Sequence, residues 1–335
     1  MENGKVKEAI LNRSIYKAIT YKRPEMVAYA GIGNDAAVMR SGNNEVTVIS
    51  TNPVTYTFNG MEKLAVASAV NNVAAMGAEP IAIQPCILLP QRFKETALKK
   101  IMQNMNIMCR AINVQITGGH TEVTPAVASP VITVNAVGRA ETNGGFSRKS
   151  VTPGMDIVMS KYIGIAGTVI MLDIKREQLE KRFCKSFLDG MSDFEEYYPV
   201  LSEAAVAVHS GVAAMHDISR GGIMGALWEI ASAADVGLEI ILDNIPIRQE
   251  TVELCELFNL NPYEMLSTGA LLMITDNGNT LVSELSHRGV ESAVIGRTTD
   301  RNDRIFLRNG EWGFITPPRG DEIYKLFQKG EQILK

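Results

Sequence analysis

Four stretches of this chain set polar or acidic side chains beside glycines or at the ends of apolar runs. They are Gly33-Asn34-Asp35, Thr51-Asn52, Gly118-Gly119-His120-Thr121-Glu122, and His216-Asp217-Ile218-Ser219-Arg220-Gly221-Gly222. Glycine lets backbone N–H groups approach an oxyanion closely, and a helix that follows adds the partial positive charge of its N-terminus. The Lys161–Thr168 stretch, KYIGIAGT, with Gly164, Gly167 and Thr168, has the same loop-to-helix form. Taken singly, glycine-rich turns mostly just turn. Together they point to a cleft for an anion or a nucleotide.

The individual residues carry competing readings. Arg220, before two glycines, has a planar fork that suits phosphate oxygens. His120 is either a phosphate contact or base, or a turn histidine bonded to a backbone carbonyl. His216 follows the apolar run Val212–Met215, so a structural hydrogen bond is favoured over catalysis. Asn71 and Asn72 interrupt an otherwise apolar helical pattern, where asparagine is a mediocre helix former. Either they satisfy a local hydrogen-bond network or they face a site; buried amides are most often structural. Cys86, Cys109 and the methionine-rich Ile101–Cys109 read as core.

The elements that must position these residues follow from periodicity. Met61–Ala75 spaces Leu64, Ala67, Val70, Val73 and Ala74 as a helix with one buried face, stopped near Gly77, and Ile81–Leu89 reads as a buried strand. Val6–Ile19 predicts a leading amphipathic helix. Tyr29–Met39 is a glycine-broken loop entering a short strand. Glu45–Thr51 is a strand followed by a loop at 52–55, Glu95–Ala111 a helix, and Val114–Thr117 and Pro130–Val137 strands. After a turn-rich break at Glu141–Pro153 the pattern restarts. Asp156–Ser160 is a strand, Lys161–Gly167 a loop, and a helix begins at Thr168. Helical pieces over Arg182–Ser210 are punctuated by Pro199. Beyond them come strands at Ala213–Ile218, Leu238–Leu242, Ala270–Thr275, Ala293–Arg297 and Arg304–Leu307, with helices at Ile223–Ala234 and Thr280–Arg288. The alternation of strand and helix predicts α/β or α+β, not a bundle.

At 335 residues the chain exceeds one ordinary core and suits two domains, taken as 1–145 and 146–335. Hydrophobic content of 46% with 21% charged residues is that of a soluble globular protein. A net charge of −4 with scattered Lys and Arg argues against nucleic acid as a partner. No apolar run approaches a membrane span of about 20 residues, and MENGKVKEAI lacks a signal-peptide core. The expectation is therefore a cytoplasmic protein without a membrane partner. The cysteines Cys86, Cys109, Cys184 and Cys255 form no CxxC pair, which argues against structural zinc and a disulfide framework.

Several of these stretches also match a known pattern. Gly33-Asn34-Asp35-Ala36-Ala37-Val38 resembles the GDDAAV signature of the aminoimidazole ribonucleotide (AIR) synthase superfamily. Lys63-Leu64-Ala65-Val66 and Val70–Ala78 resemble its KLAV…VNDLAMMGA, Gly118–Val123 is similar to its glycine–glycine–polar strand end, and His216–Gly222 looks like its HDxTRGG. Order and spacing agree from about residue 30 to about residue 275, and the branch most similar is that of the hydrogenase maturation factor HypE and HypE-like, AIR-synthase-related proteins. The resemblance implies a two-domain fold in which the N-terminal domains of a homodimer share a β-barrel and an α/β C-terminal domain packs beside it. It implies ATP bound with Mg2+ in a cleft near the dimer interface, used to phosphorylate or dehydrate an amide-type oxygen of a small-molecule or protein-borne substrate. By resemblance, the nucleotide site comprises Gly33, Asn34, Asp35, Asn52, Asn71, Asn72, Gly118, Gly119, His120, Glu122, Gly164, Gly167, Thr168, Asp217 and Arg220, with Asp35 and Glu122 toward the metal.

The departures from that pattern are consistent with one another. Asn34, Asn52 and Asn72 stand where the family has aspartates. An amide oxygen still ligates a cation, but three unit charges are gone, and magnesium prefers carboxylates. Two expectations follow: an ATP-dependent enzyme with a thinned metal site, or a nucleotide-binding sensor or scaffold that does not turn ATP over. HypE proper carries its carbamoyl group on a terminal cysteine; this sequence finishes Glu331-Gln332-Ile333-Leu334-Lys335, so HypE's own thiocarboxamide reaction is not expected. Selenophosphate synthetase is not expected either, since no cysteine precedes Cys86.

Overall fold

The computed structural model describes residues 3–141, 151–318 and 320–327. The break at Glu141–Pro153 lies largely outside the described residues.

Among the described residues the first half runs α1 (Glu8–Ser14), β1 (Met26–Ala28), β2 (Ala37–Arg40), β3 (Glu45–Val54), α2 (Met61–Ala75), β4 (Glu79–Leu89), α3 (Glu95–Ala111), β5 (Gln115–Ile116), β6 (His120–Val123) and β7 (Val131–Glu141). The second half runs β8 (Asp156–Ser160), α4 (Ile165–Ile174), α5 (Arg176–Arg182), α6 (Lys185–Asp189), α7 (Leu201–His209), β9 (Ala214–Ile218), α8 (Gly222–Ala234), β10 (Gly237–Ile241), α9 (Gln249–Phe258), β11 (Ala270–Thr275), α10 (Gly278–His287), β12 (Ser292–Thr299), β13 (Arg304–Arg308) and β14 (Glu311–Phe314). The architecture is mixed α/β in two domains, each built on its own sheet. The first sheet is ordered β1-β2-β3-β7-β4-β5, with β6 also on β4; the second is ordered β14-β13-β10-β12-β8-β11-β9.

Period-two alternation works as expected in the first sheet. Val46, Val48, Ser50, Asn52 and Val54 of β3 point inward, while their neighbours point to the opposite face. β3 continues three residues past the expected end at Thr51, because its pairing with β7 runs unbroken from Glu45↔Glu141 to Val54↔Ile132. Asn52 is thus a strand residue with a buried side chain, not a loop residue.

The central helix departs from its one-faced expectation. All residues of α2 except Lys63 and Asn72 are buried. One side packs on β3 and β7, the other on α7 and β9 of the second domain. A helix hydrophobic all round belongs between two layers, and α2 joins the two domains in one core with α4 and α9 residues such as Ile165, Ile170 and Leu254. The leading helix is also corrected: only Glu8–Ser14 is α-helical, with a 3₁₀ turn at Tyr16–Ala18, and neither segment has a buried residue. The helix expected from Thr168 starts at Ile165, so Gly167 and Thr168 lie inside α4. Strand β14 and helix α9 complete the second domain beyond the expected elements, α9 burying Thr251, Leu254 and Cys255 on one face.

Candidate functional site

Between the domains lies a cleft of about 410 Å³ walled by residues far apart in sequence. The Gly31–Asp35 loop, the end of β3 with Asn52, and Asn72 of α2 form one wall; His216, Asp217, Ser219 and Arg220 at the end of β9, with Glu229 of α8, form the other. Gly33 is held at φ +70, and a Cβ there would lie 2.5 Å from the Glu229 carbonyl oxygen, so the loop can lie against α8 only with glycine.

The amides take distinct parts. Asn34 Nδ2 donates to the Tyr29 carbonyl at 2.8 Å, bracing its own loop. Asn72 Nδ2 donates to Ser50 Oγ at 2.9 Å across to β3. Arg220 Nη1 donates to Asn52 Oδ1 at 2.9 Å, and Nη2 donates to the Pro53 carbonyl, so the guanidinium bridges the domains. Asn71, next to Asn72, is fully buried and does not line the cleft. Its amide donates to the Tyr198 carbonyl at 2.8 Å and accepts from the Val200 N–H at 3.0 Å, pinning the entry of α7. The structural reading is the one Asn71 shows.

A chain of charges runs along the cleft floor. His216 Nδ1 meets both Asp35 carboxylate oxygens at 2.8 and 2.9 Å, and Nε2 faces Glu229 at 3.3 Å. Burial alone would depress the imidazole; the Asp35 charge and hydrogen bond, with that of Glu229, override it and raise His216 to about 9. Burial likewise opposes the Glu229 charge, yet His216 and Lys5 hold that carboxyl at about 2. His216 therefore stands as a fixed imidazolium between two carboxylates. The structural hydrogen bond favoured for it is present, but its partners are acids of the cleft.

Asp217 is the exception. It is 2% exposed, and its carboxylate oxygens make no hydrogen bond of good geometry, the Ser219 and Asn71 side chains being only weakly placed to donate to them. Burial, then the charge of Asp35, pushes its carboxyl up to about 7; nearby Ser219 and Asn71 offset this only in part. A buried carboxyl facing a cleft without well-placed partners is uncommon and marks a site that a ligand completes. Near neutrality it can hold or release a proton at the cleft wall.

The other expected site residues lie elsewhere. Gly164 caps α4 at φ +73, and its N–H donates to Ser267 Oγ at 2.8 Å. Thr168 shares hydrogen bonds with the Gly164 carbonyl and Thr251 Oγ1, each at 2.9 Å, and a Cβ on Gly167 would overlap the Met265 side chain. The turn is tightly packed, and the N–H groups of Gly164 and Gly167 and the Thr168 hydroxyl all have protein partners. His120 and Glu122 lie on the exposed strand β6, entered from Gly118-Gly119, and His120 Nε2 pairs with Glu122 at 3.2 Å. They do not line the cleft. At the α8 N-terminus the Asp321 carboxylate accepts from the Gly221 N–H, and from the Leu266 and Ile323 N–H groups, at 2.9–3.2 Å.

A divalent cation would find few ligands here. Asp35 is committed to His216 and Glu122 is remote from the cleft. Among the described residues no group of three or more His, Cys, Asp or Glu side chains is disposed to hold a metal. The donor set of this chain does not fit magnesium by itself. Sequence reasoning also missed Lys5, Tyr16, Glu229 and Tyr324, which line the cleft from segments without any motif. No helix among the described residues is long and apolar enough to cross a membrane.

Comparison with known proteins places these features. Residues 33–140 match the family described as AIR synthase related protein, N-terminal domain, and residues 152–308 match its C-terminal domain. A putative hydrogenase expression/formation protein of Methanocaldococcus jannaschii is 26% identical over 279 residues, covering 81% of this chain and 79% of that protein. Carbamoyl dehydratase HypE of Rhizobium leguminosarum bv. viciae is 28% identical over 251 residues, 73% of this chain and 69% of the relative. Among solved structures, hydrogenase maturation protein HypE in complex with ATP superposes with a TM-score of 0.71 at 18% identity, covering 94% of this chain and 96% of the other.

Proposed function

The chain belongs to the AIR synthase related family, and from that premise we propose that it binds ATP in the interdomain cleft and uses it to phosphorylate or dehydrate an amide-type oxygen of a substrate. The observation that carries this reading is the convergence of Gly33, Asn34, Asp35, Asn52, Asn72, Asp217 and Arg220, drawn from both domains, on one cleft. The relatives named carbamoyl dehydratase and the HypE structure solved with ATP support the same class of chemistry. In this reading Arg220 turns from Asn52 and Pro53 toward phosphate oxygens, and the Gly31–Gly33 backbone lies along them. Asp217 handles a proton at the reacting oxygen. No step is assigned to a metal. The three amides at the family's aspartate positions support a substrate other than that of the carbamoyl dehydratases.

The protein acts as a homodimer in this proposal. The outer face of the first sheet exposes Ile49 and Ile81, and its edge exposes Val123 beside Gly118, Gly119, His120 and Glu122. A second copy over this face would cover that apolar surface and set the β6 residues against the neighbouring chain.

A second reading rests on one observation, the thinned set of carboxylates: a nucleotide sensor or scaffold that holds ATP without turnover. Calorimetric titration of ATP with magnesium and then with EDTA, followed by an ADP-release assay, separates the two. Binding with turnover supports the enzyme. Binding indifferent to EDTA and without turnover supports the sensor, and no binding removes both.

A further inference from the structure

One wall of the cleft comes from the first described residues of the chain. Gly4, Lys5, Leu11 and Tyr16 line it, yet not one residue between 3 and 30 is buried. The contacts that hold the segment include the following. Gly4 rests near the Tyr324 ring, Lys5 Nζ pairs with Glu229, and Glu8 Oε2 accepts from Trp228 Nε1–H at 2.8 Å. The partners on the body of the protein are largely buried, but the segment itself buries no residue, so it belongs to the easily opened part of the fold.

The cations of the cleft differ in what holds them. His216 is fixed by two carboxylates, and Arg220 spans to Asn52 and Pro53. Lys5 is the one carried on the weakly seated segment, with its side chain 48% exposed. Its partner Glu229 also faces His216, so that carboxylate keeps a counter-charge when Lys5 leaves.

We propose that residues 3–16 are a strap that closes over the occupied cleft, with Lys5 exchanging Glu229 for a phosphate oxygen of the bound nucleotide. The inference rests on the nucleotide reading above and adds how the site is covered. A lysine ammonium suits this exchange, being a point charge on a flexible stem that re-forms charge-assisted hydrogen bonds without a fixed angle. The strap then shields the phosphates from water in the closed state and opens to let the ligand leave.

Trp228 and the basic residues of the strap supply two readouts. With Trp312 replaced by Phe, Trp228 emission reports the Glu8 contact, and trypsin after Lys7 or Arg13 reports opening. Saturating ATP is expected to slow strap cleavage several-fold and shift Trp228 emission. Lys5→Gln should weaken ATP binding about tenfold, the loss of one charge-assisted hydrogen bond, and abolish the protection, while Lys5→Arg restores both. Calorimetric binding of ATP with unchanged cleavage and emission overturns the strap and leaves the nucleotide reading standing. Absence of ATP binding overturns both.

Discussion

Replacing Asp217 by Asn should stabilise the protein at neutral and alkaline pH. The carboxyl is buried with no hydrogen bond of good geometry, and its folded value of about 7 stands above the ordinary 3.8. Between those values the folded chain holds a proton that the unfolded chain has released. Stability therefore falls as pH rises from about 4 to about 7 and stays lowered above. A tenfold difference in proton affinity between the folded and unfolded chain is worth about 1.4 kcal/mol, so the full penalty is on the order of 4 kcal/mol. Asn keeps the shape and removes the charge; its N–H groups remain poorly served, which trims the expected gain to about 2–4 kcal/mol at pH 8. Urea unfolding of both proteins at pH 4, 6 and 8 gives the test. The two should converge near pH 4 and separate progressively toward pH 8. A variant that is equally or less stable at pH 8, or offset by the same amount at every pH, would show that Asp217 is solvated or paired and would refute the reasoning. A stabilising change at a site residue is the mark of a group kept for its chemistry rather than for the fold.

His216 should give the complementary dependence. Its folded value of about 9 exceeds the ordinary 6.5, so its contribution is fully present below pH 6.5 and is lost as pH climbs through 9, by about 3 kcal/mol. His216→Gln should be less stable at neutrality but flat over that window in the same urea titration; a slope identical to the parent would assign the alkaline loss to other groups. Asn71→Ala leaves the Tyr198 carbonyl and the Val200 N–H without partners in a buried place, and thermal unfolding should register a loss of roughly 2–4 kcal/mol. If the loss is below about 0.5 kcal/mol, water replaces the amide and the joint between α2 and α7 is weaker than its geometry implies.

The residues that gather in the cleft were legible because most sit where a strand or turn ends, and a two-layer α/β fold brings such ends together. Gly33–Asp35, Asn52 and His216–Arg220 obey this, whereas Asn72 reaches the cleft from inside α2. What the sequence could not decide was which way a side chain faces when its element is buried on both sides. Asn71 and Asn72 are adjacent on α2, about 100° apart around the axis. One turns to the second domain and binds backbone, while the other turns to the cleft, and only the packing of α7 and β9 against α2 makes the difference. Gly164–Thr168 shows the same dependence: Ser267, Thr251 and Met265, about a hundred residues downstream, pack against it and take the Gly164 N–H and the Thr168 hydroxyl. The α8 N-terminus has the glycine signal too, but Asp321 takes the Gly221 N–H from a segment with no motif at all. Local pattern thus reports that backbone donors are available, whereas occupancy is a tertiary property. By that criterion the buried, poorly paired Asp217 carboxylate separates this cleft from the two glycine turns, whose donors are largely taken, and chemistry is to be sought beside it rather than at either of them.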